Sequence, residues 1–186
     1  MTFWYAAGAG ALVLALLVIV SFNRFVSQRN LILTSWSDVD TELRRRYDLI
    51  PNLVEIVKGY AAHERAVFEE VTRARSEAVA ATGLPEQQAA AEGPLIGALR
   101  RLLAVSEAYP SLEASTHFKD LQDELTTTED RIQAARRFYN SNVQEYNRRV
   151  QAFPSNLVAA VFSFKRQQFF HIDPVLRPDV ERAPRV

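Results

Sequence analysis

The residues that could carry out chemistry are few, and their spacing does not fit the common catalytic sites. The chain has no cysteine and three histidines, His63, His117 and His171. A ferritin-like di-iron site needs glutamate three residues before a histidine on each of two helices. No histidine here has that partner, and Glu113 precedes His117 by four residues. His63-Glu64 matches the start of a zinc-protease motif, but Val67 occupies the position of the second histidine.

Other catalytic and binding patterns are also missing from the sequence. It contains neither a glycine-rich phosphate loop nor a Gly-x-Ser-x-Gly nucleophile motif. The 22 basic and 22 acidic side chains cancel, which argues against the positive field that a nucleic-acid-binding protein needs. We therefore predict a protein that is not an enzyme, with no cofactor, no metal and no nucleic-acid partner.

One stretch holds more polar residues than a plain helix surface requires. The candidate residues there are Trp36, Asp40, Arg44, Arg46, Asp48, Pro51 and Asn52. In a structural interpretation, the charged and amide side chains form a charge-assisted network that satisfies open backbone groups where one helix ends and another begins. The residues of that network would be Asp40, Arg44, Arg46, Asp48 and Asn52. A functional interpretation is a site for a partner protein or a lipid headgroup. The sequence favours the structural interpretation.

The N-terminal segment predicts a membrane anchor. Residues 1–23 contain no side chain that is charged at neutral pH, and as a helix they would extend roughly 30 Å, enough to cross a bilayer. Arg24 and Arg29 follow directly, which places the N-terminus outside and the rest in the cytoplasm, at the inner (plasma) membrane. Ala7, Gly10 and Ala11 share a face that would let two such helices approach closely. Small residues are, however, common in any membrane helix.

Beyond the anchor, apolar residues recur at steps of three and four, and strand-like alternation is absent. This periodicity predicts an all-α fold: an N-terminal transmembrane helix followed by an antiparallel four-helix bundle with long, coiled-coil-like helices. Proposed boundaries are an anchor at 1–23, a cytoplasmic bundle at 24–154, an amphipathic segment at 155–172 and a disordered tail at 173–186. Breaks between helices are expected at Gly83-Leu84-Pro85 and at Pro110-Ser111.

Pro51 allows two chain paths. Proline is disfavoured in a helix interior and pushes the residue before it away from helical geometry. A tight turn at residues 48–50 would therefore start a new helix at Pro51. The alternative is one long helix that is kinked at Pro51, since the apolar pattern is nearly unbroken there. We favour the turn, because it allows a closed bundle.

The segment after Pro154 is rich in phenylalanine. The candidate membrane-interface residues are Phe162, Phe164, Phe169 and Phe170. An amphipathic segment of this kind lies in the membrane interface or covers the end of the bundle. Covering the bundle is the interpretation we favour.

Several ungapped blocks follow one another along the chain. They are residues 23–26 (NRFV), 36–40 (WSDVD), 45–54 (RRYDLIPNLV), 57–64 (VKGYAAHE), 71–75 (VTRAR), 99–110 (LRRLLAVSEAYP), 129–140 (EDRIQAARRFYN), 143–147 (VQEYN) and 153–154 (FP). Together these blocks resemble the LemA family of bacterial membrane proteins. The resemblance extends over nearly the whole chain after residue 22.

The resemblance implies a short outer N-terminus, one membrane helix and a cytoplasmic antiparallel four-helix bundle, and it implies no reaction. Some members of the family take part in forming membrane compartments such as magnetosomes, and others neighbour genes for membrane proteases. We therefore predict a single-pass membrane scaffold or assembly protein that forms a homo-oligomer and binds other membrane proteins. The alternative is an adaptor subunit of a membrane protease or quality-control complex.

Overall fold

The computed structural model describes residues 1–81 and 83–172, and these residues form helices and connecting segments with no β-strand. The predicted all-α class is confirmed. The predicted tail at 173–186 lies outside the described residues. The helices are α1 (Thr2–Tyr60), α2 (Arg65–Ala80), α3 (Pro85–Glu107), α4 (Pro110–Glu113), α5 (Thr116–Gln151) and α6 (Ser155–Val161).

The first part of α1 is apolar and uncovered by other parts of the chain. It is the one helix among the described residues that is long and apolar enough to cross a membrane. Trp4, Leu14 and Ile19 keep 78%, 65% and 55% of their surface exposed. Water-soluble proteins rarely expose a continuous apolar surface of this extent, so the helix is suited to a bilayer.

The chain divides into two units, each made of segments that are distant in sequence. The first unit contains Met1–Val39 and Ala135–Gln168, and the second contains Asp40–Ala134 with residues 169–172. Helices α1 and α5 each contribute to both units. The first unit has eight basic and two acidic side chains, a net charge of +6, whereas the second has eleven and seventeen, a net charge of −6.

Aromatic side chains fill the centre of the first unit. The ring of Phe25 is buried and stacks on Phe164, with the ring centroids 4.7 Å apart and the planes 19° from parallel. Tyr146 meets the same Phe25 ring edge-on at 5.8 Å. Such aromatic pairs add to the stabilisation from buried area alone. The segment after α6 is therefore held against both α1 and α5.

Helices α1, α2, α3 and α5 supply most of the apolar core of the second unit, and Leu112 of α4 adds to it. The buried side chains of α1 recur at steps of three and four, as a helix with one buried face requires. Helices α2, α3 and α5 contribute similar series. The buried core residues are Leu43, Ile50, Leu53, Val57, Phe68, Val71, Ala74, Ala78, Leu95, Ala98, Leu102, Phe118, Leu121 and Ile132.

Helix α1 continues through Pro51, so the favoured turn at residues 48–50 is wrong and the single-helix alternative is correct. Proline has no N–H, and the carbonyl of Tyr47, four residues earlier, therefore loses its usual helical donor. Arg75 of α2 replaces that donor: its Nε lies 2.6 Å from the Tyr47 carbonyl oxygen. A neighbouring helix thus supplies the hydrogen bond that the proline removes.

The chain instead leaves α1 after Tyr60, and the later breaks fall where proline and glycine predict them. Gly83 has φ +155°, a backbone conformation that side-chain-bearing residues rarely adopt. Pro85 and Pro110 occupy the first positions of α3 and α4, where the missing N–H has no helical acceptor to lose.

We expect the substitutions Arg75→Ala and Pro51→Ala to be strongly coupled. Arg75→Ala alone leaves the Tyr47 carbonyl without its donor and should lower the free energy of unfolding by about 1–2 kcal/mol. In a Pro51→Ala background the new backbone N–H can bond that carbonyl, so Arg75→Ala should cost less than half as much. Denaturant unfolding of all four proteins in one detergent, followed by circular dichroism, measures the coupling.

Arg73→Ala is the matched control, since Arg73 is an exposed arginine on the same helix. Its effect should be small and the same in both backgrounds. Equal costs of Arg75→Ala with and without Pro51 would show that the arginine does not replace the missing helical bond.

Candidate functional site

A buried ion pair joins α1 to α3 in the second unit. Arg46 keeps 2% of its surface exposed and Glu92 none, and the Arg46 guanidinium donates to the Glu92 carboxylate. A second guanidinium nitrogen, Nη1, donates to Glu129 of α5 at 2.8 Å. Glu129 is partly exposed, at 38% of its side-chain surface. One cation therefore bridges two carboxylates from two different helices.

Tyr47 and Gln88 extend this ion pair into a larger network. The Tyr47 hydroxyl donates to the Glu92 carboxylate. The Gln88 amide donates to the Tyr47 oxygen at 2.8 Å and to the Ala78 carbonyl of α2 at 3.1 Å. The network therefore includes groups from α1, α2, α3 and α5. We call Arg46, Tyr47, Gln88, Glu92 and Glu129 the buried polar network.

The chemistry of this network is suited to holding helices in place. Burial raises the pKa of Tyr47 to about 12, so its hydroxyl keeps its proton at neutral pH. It can therefore donate a hydrogen bond to Glu92, but it cannot serve there as a base. Charged groups taken out of water are costly unless paired, and directional hydrogen bonds then specify one alignment of the helices.

A cleft of about 310 Å³ borders the network. Its walls combine leucine side chains, such as Leu53 and Leu99, with Arg46, Gln122 and Glu129. The Nε atom of Arg46 is buried and has no hydrogen-bond acceptor among the described residues. The cleft is thus mostly apolar, with one buried donor at its wall.

In the first unit, Asn147 and Tyr139 of α5 hold the segment that follows α6. Asn147 forms two hydrogen bonds with the backbone of Gln167: its Nδ2 donates to the carbonyl at 2.9 Å, and its Oδ1 accepts from the N–H at 2.8 Å. The Tyr139 hydroxyl donates to the Gln168 carbonyl at 2.8 Å. Burial raises the pKa of Tyr139 to about 12. These contacts satisfy backbone groups of an otherwise irregular segment.

Comparison with known proteins identifies the family. The profile of the LemA family matches residues 35–186. This chain belongs to the LemA family. All five residues of the buried polar network lie within the matched range, whereas the apolar start of α1 precedes it.

Individual relatives are more distant. Magnetosome protein MamQ of Magnetospirillum gryphiswaldense is 26% identical over 182 residues, covering 84% of this chain and 67% of the relative. Magnetosome protein MamQ 2 of Paramagnetospirillum magneticum is 29% identical over the same shares of the two chains. Protein LemA of Metamycoplasma hominis is 24% identical over 162 residues, covering 87% of this chain and 74% of the relative.

The candidate residues of the polar stretch do not meet at one place. Of the seven, Arg46 alone belongs to the buried polar network. Asp40 pairs with Arg44 on the helix surface at 2.8 Å, and this hydrogen bond raises the pKa of Arg44. Asp48, Pro51 and Asn52 are exposed.

Trp36 belongs to the first unit. Its ring lies against Tyr139, with the ring centroids 5.3 Å apart. It therefore contributes to aromatic packing between α1 and α5.

The sequence does not predict that Arg46 shares one network with four further residues. These residues are Tyr47, Gln88, Glu92 and Glu129. A usable signal lies in the spacing of buried residues along α1. Phe25, Ile32, Val39, Arg46 and Leu53 stand seven residues apart, and all five are buried. Arg46 is the charged member of this series, and a charge at such a position requires a buried partner.

The four phenylalanine candidates differ in exposure. Phe162 keeps 45% of its surface exposed, whereas Phe170 is fully buried. Phe164 is half-buried against Phe25, and Phe169 is half-buried with its ring 5.3 Å from that of His171. Burial of Phe170 makes it unavailable to a bilayer in this conformation.

Within residues 1–81 and 83–172, no group of three or more histidine, cysteine, aspartate or glutamate side chains is arranged to hold a metal ion. His63 lies exposed in the turn between α1 and α2. His117 lines a separate cleft of about 580 Å³ together with Asn52, Glu55, Asp120 and Glu124.

We expect Arg46→Met to be one of the most destabilising single substitutions in the second unit. It leaves Glu92 buried without its cation and should cost about 3–5 kcal/mol of unfolding free energy. The double variant Arg46→Met with Glu92→Leu removes both charges and should recover most of that loss. Urea unfolding in a fixed detergent measures the three variants.

Arg44→Met is the matched control for Arg46→Met, because Arg44 belongs to an exposed pair, and it should change stability little. A double variant as unstable as Arg46→Met alone would contradict the structural role of the ion pair.

Two of the buried tyrosines, Tyr47 and Tyr139, predict a loss of stability at alkaline pH. The folded-state pKa values of Tyr47 and Tyr139 are about 12, above the unfolded value of 10.0. The unfolded chain therefore loses these protons first, and folding stability falls as pH rises from 10 towards 12. Tyr47→Phe and Tyr139→Phe should each remove part of this slope. In a titration of tyrosine absorbance against pH, each substitution should also remove one tyrosine from the ionisation near pH 12. An unchanged ionisation near pH 12 would contradict the assignment of the raised pKa values to Tyr47 and Tyr139.

Proposed function

We propose that the protein is a non-enzymatic, single-pass membrane scaffold that self-associates through the apolar part of α1. The observation that carries the proposal is the uncovered apolar surface of that part of the helix. Near the N-terminal end of α1, small residues form one of its faces. Apart from the adjoining backbone of α1, a Cβ atom added at Gly10 would meet no atom of the chain within 4 Å. The chain's own packing therefore does not explain the glycine, whereas close approach of a second helix does.

Charge supports the orientation with the N-terminus outside and the remainder in the cytoplasm. The apolar part of α1 ends at Arg24, and Arg29 follows within two turns. No Lys or Arg precedes it. Basic residues next to a membrane helix favour the cytoplasmic side.

The arrangement we propose for α1, α2, α3 and α5 in the second unit is an antiparallel four-helix bundle. Its support is the buried polar network, to which all four helices contribute. Short connections at 61–64 and 81–84 also favour antiparallel neighbours, because they are too short to return the chain to the opposite end.

The relatives suggest work in assembly. Two of them are named as magnetosome proteins. We propose that this chain likewise holds other membrane proteins or copies of itself in position.

Single-cysteine crosslinking tests self-association, and the chain has no natural cysteine to interfere. Ala7→Cys and Ala11→Cys lie on the small-residue face, and Leu12→Cys lies well to one side of it. In vesicles at low protein density, mild oxidation should give disulfide-linked dimers from the first two variants and few from the third. Gly10→Leu, added to Ala7→Cys, should abolish the crosslink, because its bulk prevents close approach.

Equal crosslinking at all three positions, or a strictly monomeric protein, would contradict the proposed interface. Purification from native membranes distinguishes the alternative function. A protease that co-purifies in fixed stoichiometry would favour the adaptor role over self-assembly.

A further inference from the structure

An apolar face of α6 in the first unit is left uncovered. Phe153, Leu157 and Val161 are spaced four residues apart and keep 79%, 58% and 76% of their surface exposed. Phe162 follows with 45% exposed. Helix α6 contains no charged residue. Leu157 and Val161 lie one turn apart on α6, Phe153 precedes the helix, and Phe162 is the residue at which it ends. Exposed large apolar side chains this close in sequence form the kind of patch that usually binds something.

The opposite face of α6 is held firmly, so the uncovered face has a defined direction. Val158 and Ala159 are buried, at 8% and 3% exposure. The helix ends in a Schellman motif, in which the N–H of Phe164 bonds the Ala159 carbonyl at 2.9 Å and that of Ser163 bonds the Ala160 carbonyl at 3.4 Å. Ser163 has φ +58°, as the motif requires of that position.

Aromatic contacts place α6 next to the end of the membrane-spanning part of α1. The ring of Phe22 lies 4.9 Å from that of Phe162 and 5.6 Å from that of Phe164. Phe22 follows Val20 by two residues, about 3 Å along a helix, and precedes the first charge, Arg24. The C-terminal end of α6 therefore lies at the level where α1 leaves the apolar layer.

The charges beside this face are basic. Lys165 and Arg166 follow the helix, are exposed, and form no ion pair within the described residues. Arg148 and Arg149 lie nearby in sequence and share Glu145, whose pKa is lowered mainly by its hydrogen bond to Arg148. Exposed basic residues that follow an apolar helix in sequence are complementary to lipids with anionic headgroups.

We propose that Phe153, Leu157, Val161 and Phe162 insert into the headgroup region of the bilayer that α1 crosses, while Lys165 and Arg166 bind anionic lipid phosphates. Helix α6 is then a second, interfacial contact with the membrane. A second protein copy fits the face less well, because four side chains fall short of the roughly 800 Å² per partner of a stable interface. The bilayer is also continuous with the apolar surface of α1.

Lipid quenching of single-site fluorophores tests this proposal in the full-length protein. Leu157→Cys and Val161→Cys are labelled with an environment-sensitive dye in vesicles of phosphatidylcholine and phosphatidylglycerol that contain headgroup-region spin-labelled lipid. Both positions are exposed, so a label there does not disturb the core. Quenching should exceed that at Gln144→Cys, an exposed position on α5, by at least about twofold.

Two further samples complete the experiment. Leu17→Cys in the apolar part of α1 should be quenched by spin labels deep in the bilayer, which verifies insertion. Without phosphatidylglycerol, quenching at position 161 should fall by about twofold or more, and Lys165→Gln with Arg166→Gln should remove that lipid dependence.

The possible results distinguish a lipid bilayer from a protein as the partner of this apolar face. Labels at 157 and 161 that are quenched no more than the label at 144, in protein whose position 17 is quenched, would overturn the proposal. A blue-shifted emission without lipid quenching would also overturn it, because it would show that protein covers the face. Lipid quenching that does not depend on phosphatidylglycerol would overturn the assignment to anionic phosphates. None of these results depends on whether α1 self-associates.

Discussion

The charge of Arg46 is the constraint on which the second unit depends. A guanidinium at a buried position of a seven-residue series has lost its hydration, and its neutralisation by Glu92 is what makes that position tolerable. Apolar side chains can slide past one another at modest cost, but an ion pair with directional hydrogen bonds has one register. A shift of one heptad would place Val39 or Leu53 opposite Glu92 and leave a buried carboxylate unpaired.

Tyr47 links this constraint to the proline in α1. Its carbonyl oxygen is freed by Pro51 and accepts from Arg75 of α2, while its hydroxyl donates to Glu92 of α3. The backbone and the side chain of one residue thus bind two different helices. The proline, unfavourable for α1 alone, creates an acceptor that only a neighbouring helix can satisfy, and the interruption of local bonding becomes a tertiary contact.

The sequence predicts the features that depend on neighbouring residues, and it does not predict those that depend on residues remote in sequence. Val39 and Leu43 stand four residues apart, the apolar spacing that predicts one buried helix face, and both are buried, because helical periodicity is local. Pro51 was misjudged because its compensation comes from Arg75, which is remote in sequence. Glu92 lies in an alanine-rich stretch and carries no local sign of burial.

The geometry of an α-helix explains why the residues of the polar stretch do not lie together. Successive helical residues are separated by about 100°, so Arg46 and Asp48 point to nearly opposite sides of α1. Once the helix continues through this stretch, Arg46 faces the interior and Asp48 and Asn52 face solvent. A turn at residues 48–50 would remove this restriction. The prediction of one polar network therefore depends on a turn that the chain does not make.

The net charge of zero conceals an uneven distribution that only the fold reveals. The basic residues that follow the apolar part of α1 most closely in sequence are Arg24 and Arg29. The first unit adds residues from the end of the chain, Lys165 and Arg166 among them, and reaches +6. Aromatic stacking of Phe25 on Phe164 joins these two parts of the sequence. Tertiary packing therefore determines how much positive charge lies in the same unit as the apolar part of α1, and a substitution that loosens that stacking would also disperse the charge.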